Sequence, residues 1–357
     1  MSTAKDDFGL AGMFAASPPL FPTSPLYGRL VQVVAGDDRL LAIAEQARAG
    51  QLPPNLLLAS VHYLLLRDGG HELAAWYRSL GGTATGDPGP AFTDFCLGRR
   101  AEIVDLMRHR LVQTNVVKRS AVLRVGMAAV ASMTSEPVML IEVGCSAGLQ
   151  LRFDEYRYEL AGRTWGNPSS PVVVSAEWRE GPAPTGLDRI PVIADRVGVD
   201  LNPIDATDPD ERLWLRGLIW PENTAQAALQ DAALRVVAAD PPRTVAGDMA
   251  AVLPEVVAGV PRGMPVVVFH SATRLHVPYE RREGFDAAIA EIARDHELFH
   301  LSYEGDTDKL GFTLELRHSD RGARALAFGD GHAEWLSAPA GDSDDGEGRP
   351  DGLSALQ

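Results

Sequence analysis

The chain has 357 residues, 45% hydrophobic and 23% charged, enough apolar material for a large core and ordinary for a soluble globular protein. Its formal net charge of −15 argues against nucleic-acid phosphate as the main partner; the densest basic set, Arg99, Arg100, Arg108, His109, Arg110, Lys118 and Arg119, reads as the polar face of a helix. Two cysteines, Cys96 and Cys145, cannot build a disulfide framework or a cysteine-rich zinc site, no signal-peptide pattern opens the chain, and the longest apolar stretch, Leu56 to Leu66, is too short to span a bilayer, so the expected location is the cytoplasm, away from membranes.

Residues 1–23 read as a flexible N-terminus. Ser24-Pro25 has the form of an N-cap with proline at the first helical position, and apolar residues then recur at Leu26, Leu30, Val33 and Val34. Pro53-Pro54 opens a second helix that Asp68-Gly69-Gly70 closes. Segments 71–80 and 91–110 continue the helical period around a turn-rich break at 81–90, and a further helix covers 116–132. Nothing before Pro137 alternates like a strand, so 24–132 is expected to be an all-helical region that lids a site. After that, β-branched runs alternate with helical stretches, as in a parallel sheet with crossover helices. The strands are expected at 138–143, 172–176, 191–200, 243–247, 265–270, 298–303, 312–317 and 324–328. Helices are expected at 149–156, 209–219, 222–238, 248–258 and 279–295. Residues 133–338 thus form one α/β domain with an insertion at 157–190, and the acidic, glycine-rich segment 339–357 reads as a disordered tail.

The richest segment is Glu142-Val143-Gly144-Cys145-Ser146-Ala147-Gly148, at the end of an apolar strand. As Glu-x-Gly-x-Ser-x-Gly it resembles the first cofactor loop of the S-adenosylmethionine-dependent methyltransferases. As Gly-x-Ser-x-Gly it resembles the nucleophile elbow of α/β-hydrolases, with Ser146 as nucleophile and either Asp306 with His318 or Asp330 with His332 downstream. The helical stretch upstream weighs against the hydrolase, whose elbow strand normally follows earlier strands. The glycine spacing also disfavours a nicotinamide oxidoreductase.

The methyltransferase resemblance implies a Rossmann-like sheet of about seven strands and assigns roles to individual residues. Gly144, Ser146 and Gly148 would let the backbone approach the cofactor, with the helix starting near Leu149 facing its carboxylate. Glu142 would pair with its amino group. Asp200, at the end of the next sheet strand, would hold the ribose hydroxyls, with Asn202 in the turn that follows. This acid comes about fifty residues after the loop where the family pattern has about twenty, so 157–190 is expected to lie over or beside the site. Asp248 would receive the adenine amino group and Met249 would pack on the ring; the alternative for Asp248 is a helix N-cap. His270, at the end of the fourth strand, is the expected general base, and Tyr279 would line the acceptor pocket.

Leu111-Val112-Gln113-Thr114-Asn115, Arg119-Ser120, Gly198-Val199-Asp200-Leu201-Asn202-Pro203 and Leu213-Trp214-Leu215-x-x-Leu218-Ile219-Trp220-Pro221 resemble an uncharacterised bacterial family, over roughly residues 24–337. That resemblance implies a methyltransferase-like fold and names no substrate. It draws Thr114, Asn115 and Arg119 into the cofactor set, with Arg119 as a partner for the carboxylate. The acids Asp200, Asn202, Asp205, Asp208 and Asp210 only superficially resemble a calcium loop, since Pro203 and Ile204 interrupt it, and no metal is expected. The expected activity is methyl transfer from S-adenosylmethionine to a small molecule; the alternatives are the serine hydrolase and a module that binds the cofactor without turnover.

Overall fold

The computed structural model describes residues 9–113, 115–306 and 311–339. Thr114, the first eight residues of the expected flexible start, and all but the first residue of the expected tail lie outside the described residues.

Seven helices come first: α1 (Leu10–Ala15), α2 (Pro25–Ala35), α3 (Asp38–Ala44), α4 (Pro53–Asp68), α5 (Gly89–Gly98), α6 (Arg100–His109) and α7 (Arg119–Ala131). Before Val138 the described residues contain no strand. The cap at Ser24 is as the sequence indicates: its Oγ accepts from the Tyr27 N–H at 3.2 Å. A remote carboxylate completes that helix start, since Glu222 accepts from the Leu26 N–H at 3.0 Å and from the Ser24 hydroxyl at 2.6 Å. Negative charge there meets the unpaired N–H groups of the first turn. Helix α4 runs through the middle of a separate hydrophobic core, with Leu56, Leu57, Leu58, Val61, Leu64 and Leu65 fully buried. Its packing partner α8 (Pro209–Gly217) carries Trp214 into the same core, so the helical region is joined to the α/β part through that helix.

The strands are β1 (Val138–Val143), β2 (Arg157–Leu160), β3 (Arg163–Gly166), β4 (Val173–Trp178), β5 (Ile193–Asp200), β6 (Arg243–Ala246), β7 (Val266–Ser271), β8 (Leu298–Asp306), β9 (Gly311–His318), β10 (Gly322–Gly329) and β11 (Trp335–Ser337). They form one sheet in the order β3-β2-β4-β11-β10-β9-β8-β7-β1-β5-β6. The sheet therefore has eleven strands, not about seven. The extra ones, β2, β3 and β11, are only three or four residues long, too short for alternation to show against charged neighbours.

Strand β1 is parallel to both β5 and β7, which in turn pair in parallel with β6 and β8. Strand β9 then runs antiparallel to β8, and β10 antiparallel to β9. The chain thus leaves β1 towards one side for β5 and β6 and returns to the other for β7 and β8. Such a reversal opens a crevice at the carboxyl ends of the strands, where ligands of open α/β sheets bind. Helices α7 and α9 (Thr224–Ala239) cover one face, packing on Leu140, Val267, Phe269 and Leu301. Helices α10 (Met249–Ala258) and α11 (Arg282–Glu291) cover the other, on Met139, Ile141, Val266 and Val268.

Residues 157–190 do not lie over this crevice. Their strands extend the far edge of the sheet, β4 joining it through β11. Five strand spacings separate β4 from β7, on the order of 24 Å. A hairpin with free backbone groups gains more from continuing a sheet than from covering a polar site, because each ladder position satisfies two of them.

Candidate functional site

Strand β1 ends in a tight loop. Gly144, Ser146 and Gly148 have φ of +77°, +48° and +68°. At Gly144 a side chain is excluded by space as well as by angle: a Cβ there would lie 2.4 Å from Thr273 Oγ1. Asp200, at the end of β5, ties the loop down. Its Oδ2 accepts the Ser146 N–H at 2.8 Å and its Oδ1 the Asn202 N–H at 2.8 Å. Asn202 in turn donates its amide to Gln113 Oε1 at 2.9 Å. Asn115 donates to Ser146 Oγ at 2.8 Å. The segment between α6 and α7 is thus pinned across the loop. The helix expected to start near Leu149 is a six-residue 3-10 turn, Gln150–Glu155, interrupted by Arg152 at φ −104°. No α-helical N-terminus faces the loop from that side.

Glu142 pairs in register with Gly198 of β5 and Phe269 of β7, on the α7 face of the sheet. It is 3% exposed, and its Oε2 is sealed from solvent with no hydrogen bond. Burial pushes its carboxyl well above the usual glutamate value, the like charge of Asp200 adds to this, and the Arg119 cation partly offsets it. Burial also raises the neighbouring Cys145 thiol, with Glu142 and Asp200 adding to the shift. Arg119 begins α7 and is buried. Its Nε donates to the Gly331 carbonyl at 2.8 Å and its Nη1 to the Ser271 carbonyl at 3.2 Å, while Nη2 makes no hydrogen bond among the described residues. Its electrostatic neighbours include Glu304, Asp330 and Glu142. Gln150 donates to Ser271 Oγ at 3.5 Å and leaves its own Oε1 buried and unpartnered. One cation thus stands among several carboxylates, and three sealed acceptor oxygens, on Glu142, Gln150 and Glu304, want donors.

Farther along the crevice, Asp248 caps α10, accepting from the Ala250 N–H at 3.0 Å, and its other oxygen pairs with Arg281. The first is the N-cap alternative; the second ties the other oxygen to the segment before α11. Met249 is 8% exposed and packs into the core under α10. Leu201, which the sequence does not single out, is 77% exposed directly after Asp200. An apolar side chain open beside an anchored acid is a feature that hydropathy alone cannot reveal.

The expectation of a free general base at His270 is corrected. Its side chain points to the α11 face, opposite Glu142, because residues of β7 alternate and Phe269 takes the α7 face. It is 1% exposed, with Nδ1 2.6 Å from Glu304 Oε1 and Nε2 2.9 Å from His300 Nε2. No ring nitrogen is left for an acceptor. Burial, with the neighbouring His270, lowers His300 to about 3. Tyr279 is 84% exposed, so it lines no closed pocket.

The hydrolase reading lacks its histidine. His318 pairs with Phe299 at the start of β8, the amino end of the parallel strands, and is bound to Glu297 at 3.0 Å. His332 lies in the turn after β10, where its own N–H donates to Asp330 at 3.0 Å. Among the described residues, Ser146 Oγ has Asn115 as its hydrogen-bond partner and no imidazole. Of the acids that suggested a calcium loop, Asp205 accepts the Thr207 N–H at 2.8 Å and Asp208 the Asp210 N–H at 2.8 Å, as turn and helix cap. A groove of about 480 Å³ opens elsewhere, between α8 and α9, lined by Arg212, Asp231, Leu234, Arg235, Ala238 and Ala239. No described helix is long and apolar enough to cross a membrane.

A family model described as an uncharacterized protein conserved in bacteria (DUF2332) matches residues 20–338, and the chain belongs to that family. The match carries no link to methyltransferases. No curated protein matches the chain.

Proposed function

We propose that this DUF2332 member binds S-adenosylmethionine across the carboxyl ends of β1, β5 and β6, on a sheet of Rossmann-like order, and transfers its methyl group to a small-molecule acceptor. The observation that carries the reading is Glu142. Its buried, unpartnered oxygen lies below a glycine loop at the point where the strand order reverses. A cation that also donates hydrogen bonds would offset the burial and the Asp200 charge that keep this carboxyl protonated, and an α-ammonium group is both.

The remaining residues fit the same ligand. Among the described residues Arg119 Nη2 has no hydrogen-bond partner, which leaves it for a carboxylate. Each oxygen of Asp200 accepts one backbone N–H and keeps a second lone pair for a ribose hydroxyl. The exposed Leu201 offers an apolar surface for a purine ring. Asp248 would reach the ring's amino group only by releasing Arg281. When bound, S-adenosylmethionine supplies a methyl group already activated on a sulfonium sulfur. The chain's own contribution is then to orient, exclude water and hold the ligand's charges. His270, committed to Glu304 and His300, has no part in proton removal.

Titration calorimetry with S-adenosylmethionine and S-adenosylhomocysteine tests this. Binding of both at micromolar concentration is expected, weakened at least about tenfold by Asp200→Asn. No heat from either nucleoside at millimolar concentration, with a folded chain, overturns the proposal. Binding that no acceptor converts into methyl transfer leaves the binding module in its place.

A further inference from the structure

Two non-glycine residues of the crevice stand in the left-handed region: Ser146 in the β1 loop, and Ala272, at φ +51°, directly after β7. Such backbone persists only where its surroundings over-determine it. The restraint on the second loop comes from β8. Glu304 Oε1 accepts the Thr273 N–H at 2.9 Å, the Arg274 N–H at 3.1 Å and the His270 ring at 2.6 Å. Burial alone would raise this carboxyl, but those hydrogen bonds outweigh it and hold Glu304 below the usual glutamate value. His270 is itself fixed by His300 and by Phe285, whose ring meets it edge-on at 5.1 Å. Thr273 passes the restraint on. Its Oγ1 donates to the Val143 carbonyl at 3.1 Å, and it fills the space that a side chain on Gly144 would need.

We propose that Glu304, backed by His270, is a positioning residue that sets the β7–α11 loop against the glycine loop through Thr273 and so presets the wall of the ligand site. That this wall faces a nucleoside rests on the function proposed above; the coupling of the two loops does not. Three donors on one carboxylate oxygen make a charge-assisted hub that a neutral amide reproduces poorly. The hub, Thr273 and the glycine loop act in series, so breaking either link releases the same loop.

Hydrogen–deuterium exchange over residues 143–149 and calorimetry with S-adenosylhomocysteine test this in the full chain. Glu304→Gln and Thr273→Val are each expected to speed exchange in that segment and weaken the nucleoside about tenfold, and the double variant to do no more than either alone. Thr273→Ser keeps the hydroxyl and is expected to match wild type in both readouts. Unchanged exchange in 143–149 for both single variants, even with a lower melting temperature, overturns the proposal. Faster exchange in a chain that binds no nucleoside upholds the positioning role and removes only the functional reading.

Discussion

Replacing Glu142 by glutamine keeps the size of the side chain and removes its titration. In the folded chain this carboxyl is held protonated well above 4.5 by burial, with Asp200 adding and Arg119 opposing. The unfolded chain titrates it near 4.5. A raised folded value means that the folded state binds the proton more tightly. The stability it contributes is complete below the unfolded pKa and is lost as the pH rises towards the folded one. Between those limits wild type loses about 1.4 kcal/mol per pH unit from this group. Glutamine loses none. The stability of Glu142→Gln relative to wild type is therefore expected to climb with pH from 4.5 at that slope and to level off once the folded pKa is passed. Urea denaturation at half-unit steps from pH 4 to 8, with equal m-values for the two chains, reads the difference directly. A flat difference over that range would mean that Glu142 is solvated or fully compensated by Arg119, and the argument from its buried oxygen would fail.

Three further outcomes are expected. Leu201→Asp places charge where an apolar ring would rest; because the residue is 77% exposed, the melting temperature should stay within a degree or so while nucleoside affinity falls about tenfold, and an unchanged affinity removes Leu201 from the site. Gly198→Ala brings a Cβ to 2.5 Å from Cys145 Sγ and 2.9 Å from Cys145 Cβ and should cost about 1–3 kcal/mol by overpacking; combined with Cys145→Gly, which removes both atoms, it should cost less than the sum of the two single losses, and strictly additive losses would show that the strain lies elsewhere. A fluorophosphonate probe should leave the chain unlabelled, since Ser146 has no imidazole partner; labelling that Ser146→Ala abolishes would restore the hydrolase.

Local signals carried the centre of the site into view. The loop 142–148 announces itself by an apolar run and three small residues, and Asp200 by a strand ending in a turn, all within a few positions. The helix caps at Ser24 and Asp208 are equally local, one side chain against an N–H two or three residues on. What the sequence hides is set by partners far along the chain. Which face His270 takes depends on the register of β7 against β1, and its environment comes from His300 and Glu304 on β8. Glu304 itself is one acid among many until β8 is paired. The exposure of Leu201 and Tyr279 reflects what fails to pack on them, which no periodicity encodes. Segment 157–190 reads as a covering insertion because its strands are short and their partner, β11, lies near the end of the described chain.

That partner has a consequence for the order in which the protein forms. The three residues of β11 are wedged between β10 and β4, bringing Trp335 beside Glu177 and Phe328 beside Ser337. During synthesis, β2, β3 and β4 emerge long before the strand that fastens them, and until then β4 presents an open edge able to pair with other chains. The far third of the sheet is therefore completed only when residue 337 has left the ribosome, through a closure spanning most of the α/β part. A nascent chain stalled short of Trp335 would carry the β1 glycine loop and its partners nearly assembled and the opposite edge unsealed, a state that invites chaperone capture or aggregation before it invites ligand.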